Sequence, residues 1–389
     1  MKFNIFDRFK KQDIQLKTEV IKPLETSLQT FNINIDYSQT SDYLNRTANG
    51  YLYGVNGLFP QELNRLYHQS PLHAAIINFK KLLTTGNGYS IDSSGLDGMG
   101  KISLNQLTSQ FDSMLNEIAM DYFIHSRVCI EVVWNKDNTK IIRLKRISPD
   151  KIHIDKVDEH MEPTSFLYNW DWTYHTKYQT KKYVAFDAYN KTDACQLYMF
   201  QVTSPGQKLY AEPSYQSALN WVVLDGEMSQ YHKANILNSI NPSILIQYFE
   251  KPSTKEEKQQ VLYDLNQSFA GSRKRGRAMV TFSDGKELAP TVTQMDANKL
   301  DETFLQLTDT IQRQICYAHQ LDPQLLGLKT PGSLGNSGEL EYAYHIFNSS
   351  VIQQAQKDIE NIFNKFIGIN GLGVKMTLNK PNINLTPSK

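Results

Sequence analysis

Between Ser243 and Phe282 the chain holds a strand, a helix and a second strand, with helical patterns on both sides. "SILIQYF" is an apolar run of strand length. Ser253-Thr254 followed by Glu256-Glu257 is a helix start, because a hydroxyl can accept a backbone N–H three residues on while the carboxylate reaches back. Val261, Leu262, Leu265 and Phe269 give that helix its apolar face, Gly271 ends it, and "AMVTF" is the second strand. Upstream, a helix runs from Pro213 to Asn241-Pro242. Its apolar residues Leu219, Val222, Val223 and Ala234 make no clean stripe, so it is expected to face neighbours on more than one side. Downstream, Leu300, Phe304, Leu307, Ile311 and Ile315 repeat at helical spacing and define one face.

The remaining chain alternates in the same readable way. Residues 1–60 are rich in Asn, Thr and Gly and read as an arm, with Phe3, Phe6 and Phe9 along one side of a short basic helix. A helix follows Phe59-Pro60, and Ser70-Pro71 restarts it, with Ser70 as N-cap, Leu72, Ile76, Phe79 and Leu83 at helical spacing and Gly86 as the stop. Ser103 with Gln106 forms a capping box for the next helix, whose face is Leu104, Leu107, Phe111, Leu115, Ile118 and Tyr122. "RVCIEVVW" and "KIIRLKRI" then flank a hairpin turn at residues 136–139, and Tyr-rich strands continue to about residue 202. After the Gly/Ser/Pro-rich stretch "LDPQLLGLKTPGSLGNSG", a long helix runs to Phe366 along Leu340, Ala343, Phe347, Val351, Ala355, Ile359 and Ile362. The tail "NKPNINLTPSK" is polar and expected to fray.

Charge and composition narrow the function classes. The formal net charge of +1 excludes a protein that coats DNA through many phosphate contacts. Cys129, Cys195 and Cys316 are too few and too scattered for a disulfide framework or a zinc site and read as buried thiols in a reducing environment. The start, "MKFNIFDRFKKQD", carries charges throughout and does not read as a signal peptide, and no apolar run approaches a membrane span.

No catalytic motif emerges. "GLDGMGKIS" approaches a P-loop, but Ile102 occupies the place after Lys101 where Ser or Thr must hold magnesium. His153, Asp155, Asp158, Glu159 and His160 are the densest ligand-like group, yet they lack metal-ligand spacing, and strand alternation puts His153 and Asp155 on one face, read as solvent-facing. "GSLGNSG" has the wrong spacing for a nucleophile elbow. No catalytic, metal-binding or cofactor-binding residue is assigned, and no cofactor is expected.

The order of parts, together with three stretches, resembles the portal proteins of tailed double-stranded DNA bacteriophages over residues 60–366. "IHSRVCIEVVWNKDNTKIIRLKRISPDKIHI" is similar to the family's wing hairpin. "LYAEPSYQSALNWVVLDGEMSQYHKANILNSINPSILIQY" is similar to a stem helix entering the clip, and "LDPQLLGLKTPGSLGNSGELEYAYHIF" to the Pro-x-Leu-Leu-Gly stretch before the following helix. The resemblance implies an α+β portal fold: N-terminal arm 1–59, β-rich wing 60–211, stem helix 212–240, small α/β clip 241–292, second stem helix 293–320, tunnel loop 321–337, long helix 338–367, and a minimal crown and tail 368–389. It implies a structural protein rather than an enzyme, a homo-oligomeric ring of twelve subunits at one capsid vertex of the virion, assembled in the host cytoplasm. The implied partners are the major capsid protein, the large terminase, the head-to-tail connector, and double-stranded DNA passing without sequence specificity; no membrane partner is implied. Another ring-forming virion component, such as an adaptor or baseplate protein, shares the composition but lacks the helix–clip–helix order. An enzyme with a dispersed site is the remaining class.

The resemblance also gives two basic features a place. In "GSRKRGRAMVTF", Arg273, Lys274, Arg275 and Arg277 join the clip helix to a clip strand. Repeated around a ring, they make a belt of charge that either lines the DNA exit or meets acidic surfaces of docking proteins. The loop bearing Lys329, Thr330, Ser333 and Asn336 corresponds to the loop that touches DNA in the channel.

Overall fold

The computed structural model describes residues 46–191, 193–206, 209–238, 244–248, 278–282, 297–328 and 337–381, with isolated positions between 254 and 263. All lie within the unit Asp42–Lys389. Two short strands, β1 (Arg46–Thr47) and β2 (Gly50–Tyr51), lead to α1 (Phe59–Gln69), α2 (Pro71–Thr85), β3 (Tyr89–Ile91) and α3 (Gly98–His125). Strands β4 (Arg127–Trp134), β5 (Ile141–Ile147), β6 (Ile152–Val157), β7 (Pro163–Tyr168), β8 (Lys181–Ala185) and β9 (Cys195–Gln201) follow. Next come α4 (Leu219–Asn238), β10 (Ile244–Tyr248), β11 (Ala278–Phe282) and α5 (Ala297–Ala318). The chain then forms α6 (Ser337–Phe347), a π-helical segment (Asn348–Ile352), α7 (Gln353–Ile369) and β12 (Met376–Leu378).

Eight strands form one sheet in the order β1-β2-β6-β7-β8-β9-β4-β5. Its pairs are antiparallel except β8 with β9. Strand β4 is buried at almost every position, which explains why "RVCIEVVW" shows little alternation: both of its faces are covered. Helix α3 packs on β4 and β5, and on α2 and α7, where the Phe111 and Phe363 rings lie 4.3 Å apart. On a strand, Cys129 and Glu131 share a face. Cys129 there joins a core of Tyr53, Ile152, Ile154, Phe166, Leu197 and Tyr210.

Several local readings hold in atomic detail. The Ser70 hydroxyl accepts from the His73 amide at 3.1 Å, the cap the Ser-Pro pair implies. The hairpin at 136–139 is closed by Asn135, whose Oδ1 accepts from Thr139 and Lys140, with Asn138 at positive φ. Thr254 and Glu257 exchange the two hydrogen bonds of a capping box. Strands β10 and β11 pair in parallel, Ile244 with Ala278 through Tyr248 with Phe282. Parallel neighbours need a crossover, and the helical residues 256, 257, 259, 260 and 263 fall between the two strands.

Other readings need correction. Helix α3 starts at Gly98, not Ser103, because Asp97 Oδ1 accepts from the Gly100 amide at 2.6 Å and caps the helix a turn earlier. The P-loop-like "GLDGMGK" is therefore a helix start, with Lys101 exposed on it. His153 and Asp155 do not face solvent. The β1–β2 hairpin and Trp172 cover them: His153 touches the carbonyls of Asn49 and Gly57 and stacks on Trp172, while Asp155 holds Arg46, Lys182 and Ser165. Gly50 allows this close cover, since a Cβ there would sit 2.4 Å from the Ile154 carbonyl oxygen. Cys129 and Cys316 are buried, but Cys195 is only partly so. The long C-terminal helix is α–π–α rather than one α-helix. The tail after β12 does not fray at once, because Asn379 donates to the carbonyls of Gly88 and Asn87.

Candidate assembly surfaces and the joint beneath them

Helices α4 and α5 pack against each other. At its start α4 also meets α1 closely: a Cβ on Gly226 would lie 3.4 Å from Gln69. Asp225 on α4 accepts from the Ser70 hydroxyl at 2.6 Å and from the Leu72 amide, clamping α4 to the head of α2. Carboxylates favour such helix N-termini, where unpaired amides concentrate positive potential. Both helices also expose apolar side chains: Leu224 and Tyr231 on α4, Leu305 (71%) and Leu307 (37%) on α5. The helical face drawn through Leu307, Ile311 and Ile315 is thus split, with Ile311 and Ile315 buried within the subunit and Leu307 outside it. Helix α4 packs against α1, α2 and α5, so it faces neighbours on more than one side, as its unclean apolar pattern implies.

Helix α6 shows a second such face. Tyr342 and Ile346, one turn apart, are 73% and 67% exposed. The π-helical segment follows, with the Ser349 and Ser350 hydroxyls both turned back to the Ile346 carbonyl.

Beneath these surfaces lies a joint of buried basic side chains. His73 and Lys80 on α2 meet His319, just past α5, all almost inaccessible to solvent. Lys80 Nζ is 3.1 Å from His319 Nδ1, and His319 Nε2 is 3.0 Å from His73 Nδ1. Tyr215, ahead of α4, packs its ring on both imidazoles and donates its hydroxyl to the Ile124 carbonyl of α3. Burial, reinforced by the Lys80 charge, pushes His73 down to about 3 and His319 well below the histidine range. Burial alone brings Lys80 down to about 7.

The eight residues singled out from the sequence, Arg273, Lys274, Arg275, Arg277, Lys329, Thr330, Ser333 and Asn336, lie outside the described residues. The joint was missed. Its signal was present in the sequence, because His73 and Lys80 fall on the helical stripe of Ile76 and Leu83, where a basic residue must be buried or the stripe broken. Among the described residues, no group of three His, Cys, Asp or Glu side chains could hold a metal ion, and no helix is long and apolar enough to cross a membrane.

The comparisons with known proteins agree with this architecture. In fold, the chain is similar to a protein in the neck of an empty gene transfer agent (GTA) particle computed with C6 symmetry, at 14% identity over 84% of this chain and 85% of that one, TM-score 0.59. It is similar to a chain in the virion of a native GTA particle, at 15% identity over 82% and 83% of the two chains, TM-score 0.56. A chain in the neck of a native GTA particle computed with C12 symmetry matches at 14% identity over 84% and 86%, TM-score 0.55. No curated protein matches. The family model described as phage portal protein matches residues 101–383, from the body of α3 through β12. The chain belongs to the phage portal protein family.

Proposed function

We infer that this chain is one subunit of a portal ring at a single capsid vertex, the conduit for double-stranded DNA during packaging and ejection. The observation that carries the reading, beside family membership, is the pair α4 and α5. They bracket a parallel strand–helix–strand unit and leave apolar residues uncovered on a single subunit. Such faces suit a heterologous contact that closes into a ring. The GTA necks with C6 and C12 symmetry support a ring of this kind, and a ring of twelve subunits matches the C12 neck. In this reading α4 and α5 are the stem helices, β10–β11 with its crossover is the clip, and the eight-stranded sheet with α1–α3 is the wing. The stretch 321–337 is the tunnel loop, and the segment after α7 is a minimal crown.

The ring works by geometry and charge rather than by chemistry. A channel that must let DNA slide cannot hold many phosphates, because each contact adds affinity and salt dependence. A net charge of +1 per subunit suits that need. The large terminase supplies the work of packaging, the connector later takes its place, and the major capsid protein surrounds the ring. Arg273, Lys274, Arg275 and Arg277 fit best as a docking belt, since complementary charge speeds association without demanding buried area. Lys329, Thr330, Ser333 and Asn336 fit a loop that brushes passing DNA.

The seam is tested by Leu305→Glu with Leu307→Glu. The double variant is expected to stay folded as a subunit and fail to form rings in sedimentation velocity. Rings formed as well as by the unaltered chain would remove this face from the seam.

A further inference from the structure

We propose that Lys80, His319 and His73 form a proton-linked latch holding the end of α5 against α2, and that proton uptake at Lys80 loosens it. The inference goes beyond the portal reading and does not depend on it.

The closed joint holds Lys80 as the neutral amine, whose lone pair can accept from His319 Nδ1–H. His319 Nε2 then accepts from His73 Nδ1–H, and His73 Nε2 is left as a buried acceptor with no partner among the described residues. The relay thus joins two elements through neutral groups. An ammonium has no lone pair to offer, so proton uptake at Lys80 sets N–H against N–H at His319 Nδ1 and breaks it.

Among the described residues, no carboxylate pairs with Lys80. On α4, Asp225 is engaged with Ser70 and Leu72. On α3, Asp121 pairs with Arg146 of β5, and Tyr122 donates to Asp358 of α7. From α7, Gln356 donates to the Thr84 carbonyl. Past α5, Asp322 caps the turn at Gln324. What faces Lys80 is His319 and the Phe123 ring, 5.6 Å from Nζ. A buried ammonium with only a neutral ring nitrogen and an aromatic face is poorly compensated.

Linkage gives the sign. Burial lowers Lys80 from 10.5 to about 7, so the closed joint favours the neutral amine. Opening returns Lys80 to water and takes up one proton anywhere between those two values. The opening equilibrium therefore grows up to about tenfold for each unit of falling pH across that window and levels off below it.

The test is hydrogen exchange on the full chain at pH 7, 8 and 9, corrected for intrinsic exchange rates. The reporters are the amides of His319, Gln320 and Leu321, which donate to Ile315, Tyr317 and Cys316. Their protection is expected to rise by up to about tenfold per pH unit, with no such rise in α7. Lys80→Met is expected to abolish the slope and raise protection at pH 7. A flat profile in the unaltered chain, an equal rise in α7, or a slope that survives Lys80→Met would overturn the proposal. Should Lys80→Met fail to fold, the contrast between residues 319–321 and α7 in the unaltered chain still decides.

Discussion

Asn370, just past α7, pairs with both backbone groups of Ile141 in β5: its Oδ1 accepts from the Ile141 amide at 2.8 Å and its Nδ2 donates to the Ile141 carbonyl at 3.0 Å. Strand β5 is an edge of the eight-stranded sheet, so one side-chain amide does there what a neighbouring strand would do. The contact ties the C-terminal helix to the sheet across more than two hundred residues of sequence. Asn370→Ala leaves a buried donor and a buried acceptor unpaired and is expected to cost about 1–3 kcal/mol in denaturant unfolding. Asn370→Asp keeps the acceptor, loses the donor, and is expected to cost more. No change in either variant would show that the edge is satisfied by water instead.

Asp155 provides an acid-sensitive fastening. Burial alone would raise its carboxyl, but hydrogen bonds from Lys182, Arg46 and Ser165 outweigh burial and hold it at about 2. Because the folded value lies below the unfolded one, the stabilisation is complete above the ordinary aspartate range and disappears as pH falls from about 4 to about 2. Arg46 and Lys182 are half exposed, so screening reduces the gain to about 1 kcal/mol. Asp155→Asn should lower stability at pH 7 and flatten its decline between pH 4 and pH 2, read by thermal unfolding across pH. An equal decline in the variant would assign the acid sensitivity to other groups.

The π-helical segment decides which residue fills the core. Continuous α-helical spacing selects Val351, whereas the extra residue per turn brings in Ile352, which is fully buried while Val351 is only partly so. Ile352→Ala is expected to cost about 2–5 kcal/mol by opening a cavity, and Val351→Ala less than half as much. Equal losses in thermal unfolding would mean the helix runs through without the bulge.

Neutralising Arg273, Lys274, Arg275 and Arg277 together should weaken connector binding and leave ring assembly intact, measured by co-sedimentation of purified rings with the connector. A variant that docks normally and packages poorly would assign the belt to the channel. Deleting residues 329–336 should lower the fraction of DNA retained in filled heads. Normal packaging and retention would take that loop out of the channel.

How far the sequence could be read follows from how local each signal is. Ser70 with Pro71, the turn after Asn135 and the Thr254–Glu257 box were legible because each is a short-range exchange of hydrogen bonds. The parallel β10–β11 pair was foreshadowed by its strand–helix–strand order. What escaped was long-range. His153 and Asp155 alternate as a solvent face would, and only the distant β1–β2 hairpin and Trp172 bury them. On α2, Leu72 and Phe79 sit one position off the buried His73 and Lys80, because apolar spacing does not report a buried basic side chain. His319 reaches that stripe from more than two hundred residues away, which no spacing rule reports.

A portal subunit must close into a ring. Particle imaging of the purified full chain by electron microscopy, with mass from light scattering, tests it most directly. The prediction is a ring with an axial hole and a mass of about 540 kDa, twelve copies of the 44.7 kDa chain. A compact dimer without an axial hole would contradict it.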